Sequence, residues 1–323
     1  MRFLRVGDPH AKPGNLEEMN RLMAFVLAEA QKHKVDRIEI LGDLFHTHAI
    51  VRLEVLGFWT HWLSKLSDYF EVVVLEGNHD KSGDVNSDIS ALSVFDLAKK
   101  QNLKIISKPT LIGIYGYVPY IHDKTEFIEA VNGLCGQGAR VIVCHQTFAG
   151  SKFENGMYAP DGLDPDLLPE TLVQIISGHI HSEQEFGRVY YPGTARWDTQ
   201  SDANRRKGIW IHVHRQDGTI DTREFISTSD VCTPIHSLEW KEGQGNLEIP
   251  NGKVSVLLIG TTAWVNEQKS LLRGRASVSV KITDTVNSVR KSGKSFQEFL
   301  SNSWKGGVPY ERILGHLKEL NLV

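Results

Sequence analysis

Eight side chains of metal-binding or acid–base type recur at the ends of apolar runs: Asp8, His10, Asp43, Asn78, His79, His145, His179 and His181. The runs are Phe3–Val6 before Gly7-Asp8-Pro9-His10, Ile38–Leu41 before Gly42-Asp43, Val72–Leu75 before Glu76-Gly77-Asn78-His79-Asp80, Val141–Cys144 before His145, and Ile175–Ser177 before Gly178-His179-Ile180-His181. Four of the five pass through a glycine. Oxygen and imidazole donors with no thiolate suit manganese, iron or zinc. So many candidate ligands exceed the three or four of a single catalytic zinc, and they fit two ions sharing a bridging carboxylate. A pair of ions about 3.5–4 Å apart clamps the attacking and leaving oxygens of a phosphoryl displacement and makes hydroxide available at neutral pH. An isolated Asp-x-His or His-x-His says little. Five such ends in one chain, each closing an apolar run, are specific.

The elements that must position these groups are buried parallel strands, which read as continuous apolar runs and deliver polar residues at their carboxyl ends. Helices are expected at Asn15–Lys34 and Val51–Leu66, where apolar residues recur at helical spacing, within Ser87–Asn102, and at Thr125–Leu134. The second carries Phe58, Trp59 and Trp62 beside its leucines, more apolar surface than one face against a sheet needs, and suggests a homodimer through residues 51–66. Phe148–Pro169 is polar and rich in Gly and Pro, a long loop of the kind that serves function. Arg188–Tyr191 and Gly208–His214 read as antiparallel strands flanking Pro192–Arg196. The fold class expected is α/β, a layered β-sandwich flanked by helices, with a small α+β capping domain and a C-terminal helix pair. The corresponding segments are 1–225, 226–285 and 286–323. The last carries apolar stripes that include Phe296, Phe299, Ile313 and Leu317, a pair too small to bury itself and suited to docking on a partner.

Composition bounds the rest. The chain has 323 residues, 41% hydrophobic and 23% charged, ordinary for a soluble globular protein. No apolar run approaches the roughly 18–20 residues of a membrane span, and Met1 leads straight into a strand without a signal-peptide pattern. A soluble, cytoplasmic protein is expected. Three widely spaced cysteines argue against a disulfide framework or a zinc ribbon. A net charge of −3 argues weakly against a general nucleic-acid coat. It leaves a nuclease open, because metal ions neutralise phosphate locally.

The five motifs together resemble the signature of the calcineurin-like binuclear metallophosphoesterases. Gly42-Asp43-Leu44-Phe45-His46 is similar to the second motif of the SbcD-type DNA repair nucleases, and Tyr191-Pro192-Gly193-Thr194 and Lys207-Gly208-Ile209-Trp210 resemble that group's segment after the last motif. The resemblance is strong over residues 1–215. It implies two divalent ions per chain, manganese foremost: Asp8, His10 and His181 on one, Asn78, His145 and His179 on the other, Asp43 bridging. It implies that His79 faces the scissile phosphate, with Asp80 orienting it, and that His46 handles the DNA phosphate. Arg205, Arg206, Lys207 and Arg196 are candidate DNA contacts, with Lys12, Arg52 and Arg188 behind them.

The activity implied is a DNA nuclease, 3′-to-5′ exonuclease and endonuclease, working by two-metal-activated water beside an SbcC-type ATPase in DNA end processing. The protein-phosphatase branch is disfavoured, since its Arg-Gly extension after the second motif and its Glu at position 80 are both missing. The chain is shorter than full-length SbcD-type nucleases, and a compact form of the kind viruses of bacteria encode fits. Two other readings stand beside this one: a phosphodiesterase for a nucleotide or other small phosphoester, and a catalytically silent scaffold subunit.

Overall fold

A computed structural model describes residues 1–48, 50–83, 89–96 and 100–283. The C-terminal helix pair with Phe296, Phe299, Ile313 and Leu317 lies outside the described residues.

In chain order the elements are β1 (Arg2–Val6), α1 (Leu16–Lys32), β2 (Arg37–Ile40), α2 (Leu53–Ser67), β3 (Glu71–Leu75), α3 (Ser93–Asp96), β4 (Leu103–Ile106), β5 (Thr110–Ile112), β6 (Tyr115–Val118), α4 (Lys124–Gly136), β7 (Val141–His145), β8 (Gln174–Gly178), β9 (Gln184–Phe186), β10 (Val189–Tyr191), β11 (Gly208–His214), β12 (Ile220–Ser227), β13 (Ile235–Lys241), β14 (Lys253–Gly260), α5 (Thr262–Leu272) and β15 (Ser277–Ile282). Two six-stranded sheets dominate, ordered β12-β11-β1-β2-β3-β4 and β5-β6-β7-β8-β10-β9, with a three-stranded sheet β13-β14-β15. In the first, β1 to β4 are parallel and β11 joins β1 antiparallel. In the second, β6, β7, β8 and β10 are parallel, with antiparallel β5 and β9 at the edges. The strands on either side of Pro192–Arg196 are therefore not partners: β10 belongs to one sheet and β11 to the other.

The chain divides into two compact units. Among the described residues, one comprises those of 1–238, 248–256 and 275–277; the other comprises 239–247, 257–274 and 278–283. The first is a layered α/β unit. Met19, Leu22, Met23, Val26 and Ala30 of α1 fall at helical spacing and are buried, and Glu17 and Glu18 in its first turn complement the helix dipole. These residues and the inner face of α2 cover one side of the first sheet. Leu134, Phe127 and Val131 of α4 cover the outer side of the second. Between the sheets lie Phe3, Leu41, Val73, Leu75, Tyr117, Val143, Ile176 and Trp210. The aromatic surplus of α2 is spent within the unit. Phe58, Trp59 and Trp62 are buried, with the Trp59 indole donating to the Leu44 carbonyl at 3.1 Å and that of Trp62 to Asn20 at 2.8 Å. In the second unit, Thr261 caps α5 and the Trp240 and Trp264 rings meet edge to face at 5.4 Å. Among the described residues, no helix is long and apolar enough to cross a membrane.

A charged network lies inside the sandwich of the first unit. Arg5 and Glu39 pair at 2.7 Å, Tyr117 from the opposite sheet donates to Glu39, and Arg37 donates to Tyr117 at 2.7 Å. Burial pushes the Tyr117 hydroxyl far up, and the Glu39 carboxylate adds to it. The other side of Arg5 faces His212 and His214. Burial, then the Arg5 guanidinium, holds His212 well below the ordinary imidazole range and His214 at about 3.

These two histidines are neutral in the fold and take up protons when unfolded. Their contribution is complete above about pH 6.5 and is lost as pH falls below it, at about 1.4 kcal/mol per pH unit for each. His212→Gln keeps an acceptor for Arg5 and removes one titration. Urea unfolding of the variant at pH 7, 6 and 5 should show a correspondingly shallower loss of stability than the wild type.

Candidate metal centre

The carboxyl ends of β1, β2 and β3 in one sheet meet those of β7 and β8 in the other. The approach is too close for a side chain at the strand ends. A Cβ on Gly77 would lie 2.2 Å from Asp43 Oδ1, and one on Gly42, whose φ is +102°, would lie 2.3 Å from His145 Nδ1. Glycine before the donor residue is thus a packing requirement. The donors themselves sit on bent backbone: Asp8, His10, Asp43 and His179 all have positive φ, four of the six non-glycine cases among the described residues.

The structure brings all seven expected ligands together. His10 Nε2 lies 3.1 Å from His181 Nε2 and 3.6 Å from Asp43 Oδ2. On the other side of that oxygen, His145 Nε2 is 3.4 Å away. Asn78 Oδ1 is 3.0 Å from His145 Nε2 and 2.9 Å from His179 Nδ1, and the last two nitrogens are 3.3 Å apart. Asp43 Oδ2 therefore stands between two donor groups. Asp8 spends Oδ1 on the His179 amide at 2.9 Å, while its buried Oδ2 has no hydrogen-bond partner.

The outer contacts orient these donors. His145 Nδ1–H donates to the Leu41 carbonyl at 2.8 Å, which directs Nε2 at the site. His181 is held through its backbone. Its amide donates to Glu154 at 2.9 Å, and its carbonyl accepts from buried Lys207 at 2.7 Å, itself paired with Asp202 at 2.6 Å. Glu154 lies in the long Gly/Pro-rich loop, so that loop does serve the site.

Burial holds His10 and His179 at about 3. Burial would raise Asp43, but His145 and then His10 outweigh it and keep its carboxyl well below the usual range. Burial also opposes charge on His145, yet Asp43 and Asp8 lift it to about 9. Asp8 is pushed up to about 6, chiefly by burial. A buried carboxylate beside His10 and His179, which resist protons, is organised for cations, and an ion bound at His145 would replace the proton that Asp43 and Asp8 hold there.

The sequence profile of the calcineurin-like phosphoesterases matches residues 1–183. The chain belongs to the calcineurin-like phosphoesterase family. Two viral relatives agree. A protein named "Putative phosphoesterase 244L" from Invertebrate iridescent virus 6 is 29% identical over 201 residues, 60% of this chain and 69% of its own length. "Putative phosphoesterase 078R" from Invertebrate iridescent virus 3 is 26% identical over 201 residues, 59% of this chain; the match spans 56% of that relative's length. Among solved structures, the phosphoesterase Yfce from E. coli aligns with a TM-score of 0.34 at 14% identity, over 70% of this chain and all of that one.

As a calcineurin-like phosphoesterase the protein is a metal-dependent hydrolase, and the donors fit the ions the family uses. Metal–ligand bonds of about 2.1 Å place neighbouring ligands about 3.0 Å apart in an octahedron and about 3.4 Å apart in a tetrahedron. The donor separations above span that range. Compact groups form around His10, Asp43 and His79, and around Asp43, His145 and His179. The first group includes His79 where the resemblance implies His181. His79 Nδ1 is committed to the His46 carbonyl at 2.8 Å, whereas His181 Nε2 points at His10, so we favour His181 as the ligand on geometry.

Several expectations need correcting. Asp80 does not orient His79. Its two oxygens accept from the Phe45 and Gly77 amides, both at 3.0 Å, because the turns there leave those amides without backbone partners. Burial, then the Asp43 charge, raises Asp80 far above a normal carboxyl. Lys207 and Arg196 are buried and cannot reach DNA; Arg196 is spent on Glu18 and Asp198, both at 2.7 Å. Arg205 donates to the Glu154 carbonyl at 2.6 Å, and exposed Arg206 pairs with Glu183. Arg188 holds the carbonyls of Pro165, Leu168 and Pro169. Only Arg206 of the four keeps an exposed cation. His46 stays near the centre, its ring 5.7 Å from that of His10 and its Nδ1 3.4 Å from Asp198.

Sequence reasoning missed Tyr120. Its ring lies against that of His179 at 6.1 Å and 24°, on the chain leaving β6. The available signal was a sixth strand end, Tyr117-Val118-Pro119-Tyr120, beside those that carry ligands.

Lys207→Met removes the clamp on the His181 carbonyl without touching a donor atom. Titration of the purified protein with Mn2+ by calorimetry should show one of two sites weakened about 10- to 100-fold. Unchanged affinity at both would exclude Lys207 as a positioning residue.

Proposed function

We propose that this phosphoesterase is a manganese-dependent DNA nuclease, cleaving phosphodiester bonds as an SbcD-type subunit beside an SbcC-type ATPase. The observation that carries the reading is the pairing of His79 with His46 at one edge of the donor cluster. His79 Nδ1 donates to the His46 carbonyl, so the Gly42-Asp43-Leu44-Phe45-His46 motif sets the orientation of the imidazole beside the scissile position. The His79 ring meets that of His10 edge to face at 4.8 Å, and its amide donates to Asp43 Oδ1 at 2.8 Å.

Bound ions would neutralise the phosphate charge and supply hydroxide at neutral pH. The chain's own residues do the remainder. Asp43 provides the shared negative charge between the two donor groups. Asn78, a neutral donor, limits the negative charge facing an anionic substrate. With Nδ1–H committed to the His46 carbonyl, neutral His79 carries its lone pair on Nε2, and it would donate to the departing oxygen only after taking up a proton there. His46 and Lys12, which lie 3.5 Å apart at the rim, bind the phosphate as it enters. No side chain needs to be phosphorylated along the way.

His79→Ala should keep both metal sites and lose about 10²- to 10⁴-fold in diester hydrolysis. Metal content and turnover of a chromogenic diester, measured on the same preparation, check this, and a wild-type rate would refute it. Incubation with Mn2+ and an end-labelled DNA duplex, with and without an SbcC-type partner, tests the substrate. Activity confined to the small diester would replace the nuclease reading with the small-phosphoester one.

A further inference from the structure

A cleft of about 280 Å³ opens beside Asn78, lined by His48, Lys81, Ser82, Tyr120 and His122. Its walls are aromatic on two sides, and each ring is backed by a histidine of the centre. The Tyr120 ring lies against His179, a metal-ligand candidate, and the His48 ring stacks on His79 at 4.1 Å and 28°. Tyr120 is anchored from behind, its amide donating to the Glu76 carbonyl at 2.9 Å, and its hydroxyl reaches His122 at 3.3 Å. Both Tyr120 and His48 are half-buried, so each ring keeps part of its surface open. Lys81 supplies a cation near the mouth, 3.9 Å from Glu76.

We propose that this cleft is a nucleoside subsite, in which the base next to the scissile phosphate lies against Tyr120. The inference rests on the phosphodiesterase reading of the adjoining centre and names the chemistry of its substrate. A phosphodiester held at Asn78 must place one of its two ester groups towards the cleft. The group that suits flat aromatic walls with a polar rim is a nucleobase, since every base offers a π-face. Among the described residues the polar groups of the rim besides Asn78 are His48, Lys81, Ser82 and His122. Stacking on a π-face discriminates nucleoside esters from bare sugar or alkyl phosphates.

The test compares two ligands that differ only in the base. Thymidine 5′-monophosphate and 2-deoxyribose 5-phosphate are titrated by calorimetry into the full-length protein loaded with Mn2+. The wild type should bind the nucleotide about 5- to 150-fold more tightly. Tyr120→Ala should bring the ratio close to one while leaving sugar-phosphate affinity unchanged, and Tyr120→Phe should preserve it. Should Tyr120→Ala fail to fold, Tyr120→Leu fills the space without a ring and should give the same loss. Equal affinities in the wild type, no binding of either ligand, a ratio that survives loss of the ring, or an equal weakening of both ligands would each overturn the proposal. The duplex assay fails or succeeds separately. DNA cleavage without the base-dependent ratio keeps the nuclease and removes the subsite. The ratio without DNA cleavage keeps the subsite and assigns it to a nucleotide ester.

Discussion

The molecule is organised by the meeting of two sheets at their carboxyl ends, closely enough for donors from both to reach one carboxylate. Asp43 Oδ2 has His10 on one side and His145 on the other, contributed by opposite sheets. To reach that point the chain bends sharply after β1, β2 and β8, and Asp8, His10, Asp43 and His179 adopt left-handed backbone. Each such residue costs about 1–3 kcal/mol, and the cost persists only where surrounding packing over-determines the conformation. Here it does. A Cβ on Gly178 would lie 2.2 Å from the Leu41 carbonyl, and one on Gly7 would lie 2.0 Å from that of Gly193, so neither turn can relax outward.

Sheets that meet in this way must also keep register with each other. Apolar packing between them is weakly directional, whereas the Arg5–Glu39–Tyr117–Arg37 network is strongly so. Buried ion pairs seldom add net stability, because desolvation offsets the attraction. Their value here is geometric. The ion pairs Arg5–Glu39 and Arg37–Glu71 lie within the first sheet, so a sliding movement of β6 against β2 would strand the buried Tyr117 hydroxyl that joins them across the interface. The network thus locks β2, which leads to Asp43, to the sheet that carries His145 and His179.

Much of this was legible in the sequence, because buried parallel strands read as unbroken apolar runs and the donors sit where each run stops. The layered α/β class followed from that, and the choice of seven donors among the eight candidates came from the resemblance. Other features were hidden for physical reasons. β12 is an exposed edge strand, Ile-Asp-Thr-Arg-Glu-Phe-Ile-Ser, whose charges mask its alternation. Lys207 and Arg196 look like surface cations until the burial of Asp202, Glu18 and Asp198 is known. The Glu18 partner of Arg196 is 178 residues away in sequence. Asp80 looks like a partner of its neighbour His79, yet the nearby Gly77 amide and the distant Phe45 amide claim it. Tyr120 carries no ligand type and follows no glycine, so only the sheet order reveals that its strand lies beside β7.

The long span between the two ends of the donor set bears on how the protein is made. His10 waits 171 residues for His181, and β1 waits for β11 before it is covered on both edges. At ribosomal speeds of roughly 5–20 residues per second, that interval is on the order of ten to thirty seconds. Throughout it Asp8 and His10 are displayed on an unfinished chain whose donor cluster is incomplete. Asp43 cannot lie between His10 and His145 until both sheets exist. The donor cluster is therefore completed late in biogenesis, which distinguishes a polypeptide that carries the last motif from a fragment ending before it.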